Sequence, residues 1–367
     1  MFAAKALELG QVGATSPLLK REYCASFARV GLRGSYNAEY KLSMGTKKIM
    51  KPRILFFGTP EFAVVCLQEL HKQAYPIVGV VTSPDRPAGR GKKIKISAVK
   101  EYAISQDLNL LQPSNLKDVP FLKTLEKINA DVAVIVAFRM LPKAVWSLPK
   151  QGTFNLHASL LPKYRGAAPI NWALVNGEKQ TGVTTFFIDE KIDTGALLLQ
   201  KSIPIQKDDT AGSIHDRLAV LGSKLIVKTL EKLQAGQLSP KVQKNNSSLS
   251  QAPKLNKENT KIPWHLPLIQ IQNFVRGMSP YPGAWSEVED GDQILVMKLF
   301  EVSISIETHE AAFGSIVIDN KKIKIAHSDG WIVCLQLQMP NKRRMSAKDL
   351  LNGYHFNKKS RVIVRGF

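Results

Sequence analysis

The chain has 367 residues, beyond the length at which one hydrophobic core usually stops growing, so two domains are expected. Its 44% apolar and 22% charged residues are ordinary for a globular chain, and no apolar run reaches the roughly 18–20 residues of a membrane helix, so a soluble protein is expected. The net charge of +21 points to a polyanionic partner, nucleic acid first, while Cys24, Cys66 and Cys334 are too few and too scattered for a disulfide framework or a zinc site and fit a reducing compartment.

Residues 1–50 carry scattered Lys, Arg and Ser with few acids and no periodicity, so they are set outside the folded body. They read as a disordered extension, or one upstream of a start at Met44 or Met50, with a transit peptide as the alternative. From Lys51 the signals sharpen. Arg53–Gly58 reads as a buried parallel strand, Thr59 as an N-cap and Pro60 as the first residue of a helix. A strand over Ile77–Thr82, a helix over Val119–Asn129 and a buried strand over Asp131–Phe138 give the alternation of a doubly wound α/β sheet, whose ligands sit at the carboxyl edge of the strands. Strands over Thr153–Ser159 and Thr181–Ile188 flank a helix at 168–175, and a long helix over 212–235 completes a domain spanning 51–238.

Residues 239–265, rich in Ser, Asn, Gln, Lys and Pro, have the composition of a linker. In the second domain, 266–367, a helix over 266–277 precedes four β-like runs, 294–302, 314–318, 322–326 and 331–337, the pattern of a small barrel.

Asn155 and His157 stand two apart near the end of one strand, so they share a face. A neutral histidine can take a proton near pH 7, and an amide can donate to a carbonyl oxygen gaining negative charge, which are acyl-transfer roles. Downstream, Asp189 and Asp193 lie in a loop, Asp193 opening an Asp-Thr-Gly run. No GxxxxGK[ST] loop is present, and Gly58-Thr59-Pro60 lacks the GxGxxG spacing, so a nucleotide cofactor is not indicated.

The run from Asn155 to Gly166, Asn-Leu-His-Ala-Ser-Leu-Leu-Pro-Lys-Tyr-Arg-Gly, together with Asp193-Thr-Gly, resembles the signature of the folate-dependent formyltransferase family. The resemblance implies a Rossmann-like catalytic domain with a C-terminal OB-fold-like barrel, 10-formyltetrahydrofolate as co-substrate, no metal, and Asn155, His157 and Asp193 as the catalytic set. It places the folate pocket at Phe138, Arg139, Met140, Leu141 and Pro142 and at Ser159, Leu160, Leu161 and Pro162. Arg139 departs from the Tyr-Gly that many relatives carry there.

The segment Ser83–Lys93 is similar to the insertion loop of the branch of the family that acts on initiator methionyl-tRNA, and the likeness runs on through Ala252–Leu255 and Arg276–Trp285. It implies tRNA contacts from Arg86, Arg90, Lys92 and Lys93, with Lys342, Arg343 and Arg344 and a further stripe at Lys321, Lys322 and Lys324 in the barrel. Asn341 stands where glycine is commoner in the family. A monomer in the bacterial cytoplasm is expected, a mitochondrion or plastid being the alternative if residues 1–50 are a transit peptide. The rival readings are an enzyme that formylates an amino sugar nucleotide and a catalytically dead RNA-binding module.

Overall fold

The computed structural model describes residues 50–88, 93–244 and 249–364; the expected extension lies outside them but for Met50. Strand β1 (Ile54–Gly58) is buried at every position, as an apolar run covered on both faces must be. Helix α1 (Glu61–Lys72) adds Phe62, Ala63, Cys66, Leu67 and Leu70 to the same core, with an acid in its first turn and His71 and Lys72 in its last, as the helix dipole favours. Its N-cap is Pro60 rather than Thr59: Pro60 has the extended cap backbone, while the Thr59 hydroxyl meets Ser83 Oγ at 3.1 Å.

Strand β2 (Ile77–Val81) pairs in parallel with β1, and a hairpin of β3 (Arg86–Ala88) and β4 (Lys93–Lys95) follows it. Then come α2 (Ala98–Ser105), capped by the Ser97 hydroxyl, and β5 (Leu110–Leu111). Helix α3 (Val119–Ile128) stops on Asn129 at φ 49, a left-handed conformation asparagine tolerates, ahead of the wholly buried β6 (Val132–Val136). The unit continues through α4 (Lys143–Trp146), β7 (Thr153–His157), β8 (Arg165–Gly166), α5 (Pro169–Val175), β9 (Gln180–Phe187), β10 (Leu197–Pro204) and the 24-residue α6 (Ala211–Gln234). The seven-stranded sheet has the order β10-β9-β7-β6-β1-β2-β5. Its last five strands are parallel, whereas β9 and β10 are added antiparallel at the edge.

The segment expected as a linker is paired to this unit. Lys241 and Leu197 exchange both backbone hydrogen bonds, at 2.8 and 2.9 Å, and β11 (Gln251–Ala252) runs parallel to β8. Further on, Ile262 and Trp264 belong to the second core.

Helix α7 (Leu268–Gly277) leads into β12 (Ala284–Asp290), β13 (Gln293–Ser305), β14 (Ile316–Asp319), β15 (Lys322–His327), β16 (Gly330–Gln338), β17 (Met345–Ser346), α8 (Ala347–Leu351) and β18 (Arg361–Val362). The sheet is antiparallel in the order β14-β15-β16-β13-β12-β18, with β17 on β16. Its two edges meet, since Ile316 N donates to Ser360 O at 2.8 Å and Val362 N to Gly314 O at 2.9 Å. The sheet is therefore nearly closed, a barrel with few open edges.

Helix α7 packs on α5 and joins the two cores. Arg276 donates to the carbonyl oxygens of Gln206 and Asp209 at 3.1 and 3.3 Å, and Asn171 to that of Gly277 at 2.8 Å. Burial raises the Asp209 carboxyl, but bonds from Gln206 N–H, the Ser213 hydroxyl and Arg217 outweigh it and hold it below the usual carboxylate range. A carboxyl depressed in the fold stabilises above its unfolded value and loses that contribution as pH falls through its folded one. Asp209→Asn is therefore expected to cost roughly 2–3 kcal/mol at pH 7. The gap in thermal midpoint from the parent closes as pH drops below about 4; a gap constant down to pH 3 would refute this.

Candidate active site

A cavity of about 650 Å³ opens at the carboxyl edge of the first sheet, lined by residues that follow β1 and β6 and by the end of β7. Strand alternation directs Asn155 and His157 into it together, as the sequence spacing requires. Phe138, Leu141, Phe186 and Ile188 supply apolar wall, and Asp193 lines the cavity beside them.

His157 is 6% exposed. Its Nε2 lies 2.8 Å from the carbonyl oxygen of Tyr164, and since a carbonyl only accepts, Nε2 carries the hydrogen. In the neutral ring Nδ1 is then the basic nitrogen, and it lies 3.7 Å from Asp193 Oδ2. The same carboxylate oxygen accepts from Gly166 N–H at 2.9 Å. Gly166 sits at φ 121 against Ala252, whose carbonyl oxygen any added Cβ would strike. Asp193 itself is at φ 54, and at Gly195 a Cβ would collide with the Phe187 carbonyl oxygen, so the Asp-Thr-Gly loop admits little variation.

Asn155 Oδ1 is buried and has no hydrogen-bond partner in the protein. Such an oxygen costs stability unless something donates to it, so an N–H from a ligand fits the site. Asp189 lines the cavity too, but its carboxylate is occupied by Lys191 N–H at 3.0 Å and the Thr194 hydroxyl at 2.8 and 2.9 Å, holding the loop's shape.

Of the nine residues expected around the folate, Phe138, Arg139, Met140 and Leu141 line the cavity. Pro142 instead caps α4. Ser159, Leu160, Leu161 and Pro162 do not line it: Ser159 Oγ donates to Lys163 O at 2.7 Å, and Leu161 bonds Thr184 and Gln200 through its backbone. These residues form the turn that brings the Tyr164 carbonyl back to His157. The Arg139 guanidinium turns to the carbonyl oxygens of Pro113 and Ser114, at 2.5 and 3.1 Å, and fastens that loop. Lining residues not singled out in the sequence include Ile135, Phe186, Lys191, Ile192 and His215, the last reaching in from α6.

Arg86 is exposed on the β3–β4 hairpin, whose root is fixed by Asp85. Lys100 at 2.5 Å and Gln112 at 2.8 Å bind the Asp85 carboxylate and hold it below its usual range. Arg90 and Lys92 lie outside the described residues, as does the Lys93 side chain. Lys342, Arg343 and Arg344 are exposed in the turn before β17, with Arg344 stacked 4.7 Å over the Phe300 ring. Asn341 opens that turn at φ 60, the backbone expected where glycine is commoner. Lys324 departs from the expected stripe: it is paired with Asp319 at 2.8 Å and lies over Trp331.

A family model described as formyl transferase matches residues 50–230, and one described as the formyl transferase C-terminal domain matches 254–355. The chain belongs to the formyl transferase family. Among relatives of this formyl transferase, the methionyl-tRNA formyltransferase of Flavobacterium johnsoniae is 52% identical over 312 residues, 85% of this chain and 99% of that one. The protein of the same name from Bacteroides thetaiotaomicron is 47% identical, covering 83% and 96%. Among solved structures, a sugar 3N-formyl transferase, WlaRD, crystallised with dTDP and 5-N-formyl-THF, superposes with a TM-score of 0.56 at 20% identity over 80% of this chain and 99% of that one. HypX of Aquifex aeolicus in complex with tetrahydrofolic acid gives 0.56 at 19% identity over 82% and 47%. At such identity the structural likeness concerns the fold. The described residues include no helix long and apolar enough to cross a membrane.

Proposed function

We propose that this formyl transferase moves the formyl group of 10-formyltetrahydrofolate to the amino group of methionine esterified to initiator tRNA, giving N-formylmethionyl-tRNA. The observation that carries the chemistry is the convergence of Asn155, with its unpartnered amide oxygen, His157 and Asp193 on one largely apolar cavity. The acceptor is supported by relatives of that name, 52% and 47% identical over more than four fifths of this chain. The reading takes the enzyme as a monomer of the bacterial cytoplasm, in keeping with the bacterial origin of those relatives, and assigns tRNA contacts to Arg86, Arg90, Lys92, Lys93, Lys342, Arg343 and Arg344.

The aromatic and aliphatic wall of Phe138, Met140, Leu141 and Ile188 suits a flat pterin. As the amine nitrogen bonds to the formyl carbon, Asn155 Nδ2 donates to the oxygen that gains charge, while Oδ1 accepts from the attacking amine. His157 takes the amine proton at Nδ1 and returns it to the departing folate nitrogen as the carbon–nitrogen bond to folate breaks. Asp193 stabilises the ring while it is charged, and the Tyr164 carbonyl fixes its tautomer.

The test is formyl transfer by the purified full chain from 10-formyltetrahydrofolate to methionyl initiator tRNA, methionyl elongator tRNA and an amino sugar nucleotide. Transfer to initiator tRNA alone is the expected result. Transfer to the sugar alone would replace the acceptor, and tRNA binding without any transfer would replace the enzyme by a binding module.

A further inference from the structure

Gln243 belongs to the segment between the two domains, where composition suggests only a polar spacer. Its neighbour Val242 is 88% exposed, yet Gln243 is 6% exposed. Both ends of its amide are used. Nε2 donates to the carbonyl oxygens of Asp193 and Gly195 at 2.9 and 2.8 Å, while Oε1 accepts from Arg165 Nε at 3.1 Å and from its terminal nitrogen at 2.7 Å. Arg165 directly precedes Gly166, the residue whose N–H donates to the Asp193 carboxylate.

We infer that Gln243 is a positioning residue for Asp193, fastening the loop that carries the carboxylate to the strand that receives it. The inference rests on the proposed role of Asp193 beside His157. Its physical basis is that the 3.7 Å approach of Asp193 to His157 depends on a loop backbone at φ 54, a conformation that persists only where its surroundings impose it. Gln243 bonds that same residue's carbonyl. Described residues on either side of it are bonded near the site as well: Lys241 pairs with Leu197 just past the Asp193 loop, and Ser250 O accepts from Tyr164 N–H at 2.7 Å, in the residue whose carbonyl orients His157. The seating of the interdomain segment thereby sets the alignment of the catalytic pair.

A glutamate at this position keeps the length and the Arg165 contact but removes both donors and sets an oxygen against two carbonyl oxygens. Gln243→Glu is therefore expected to lower kcat roughly 10- to 100-fold, the scale of a small misplacement. KM for each substrate stays within about twofold, because no substrate contact is lost. The deciding readout is a double-mutant cycle with Asp193→Asn, measured in single turnovers. If Gln243 acts through Asp193, its substitution costs less than about twofold once the carboxylate is gone. An equal cost in both backgrounds makes Gln243 a general scaffold residue and overturns the proposal, as does a single variant with parental kcat. Gln243→Ala, which introduces no repulsion, is run through the same cycle and decides the matter if the glutamate variant does not fold. Full activity of Asp193→Asn alone would sink the reading of Asp193 and is seen before any cycle is built.

Discussion

Asn155→Ala is expected to lower kcat roughly 100- to 1,000-fold, the usual cost of one donor aimed at a developing oxyanion. Affinity for tRNA is expected to stay nearly unchanged, because the side chain lies in the cavity, whose lining includes none of the residues assigned to tRNA contact. The argument starts from the strand. Leu156 anchors β7 in the core, and alternation leaves Asn155 facing the cavity with a buried oxygen that no protein group satisfies. An amide serves this place because it presents a donor and an acceptor to two reacting groups at once. Asn155→Asp separates the two functions: it keeps an acceptor for the amine but sets negative charge against negative charge at the formyl oxygen. The aspartate variant should therefore be at least as impaired as the alanine. An aspartate variant with near-parental turnover would remove Asn155 as oxyanion donor and leave it only as a binder of the amine.

Much of the first domain is legible in the sequence because strands covered on both faces must be continuous apolar runs, as β1 and β6 are. The paired direction of Asn155 and His157 follows from period-two geometry alone. Strand β12 is less legible. Its run Ala-Trp-Ser-Glu-Val-Glu-Asp carries three acids, and their partners come from distant residues: Lys261 for Glu287, Arg361 for Glu289, and Tyr354 and Ser360 for Asp290. The resemblance assigns the Ser-Leu-Leu-Pro run to the folate pocket, and the chain folds it into the turn that follows the histidine. Gln243 leaves no local signal. A glutamine among serines, asparagines and lysines looks like solvent-facing spacer, and only the closure of the chain onto Leu197 and Arg165 buries it. Asn155 and His157 thus follow from one strand, while Gln243 is tied to the site only through Asp193, 50 residues away, and Arg165, 78 residues away.

Removing the imidazole should be costlier still in chemical terms, since it removes the group that moves the proton. His157→Ala is expected to lower kcat about 100- to 10,000-fold, the range for a positioned acid–base group. The ring is 6% exposed yet borders the cavity, so its deletion leaves a pocket continuous with the substrate site. Free imidazole entering that pocket can donate through one nitrogen to the Tyr164 carbonyl and offer the other beside Asp193, repeating the arrangement of the native ring. Saturable recovery of part of the rate by imidazole is therefore expected in His157→Ala and absent in Asn155→Ala, where the lost group never carries the proton. Recovery in both variants would mean that imidazole acts as a bulk base. A correctly folded His157→Ala enzyme with near-parental turnover would leave the Asn155 amide and the binding cavity as the source of catalysis, with His157 reduced to holding the turn at Tyr164.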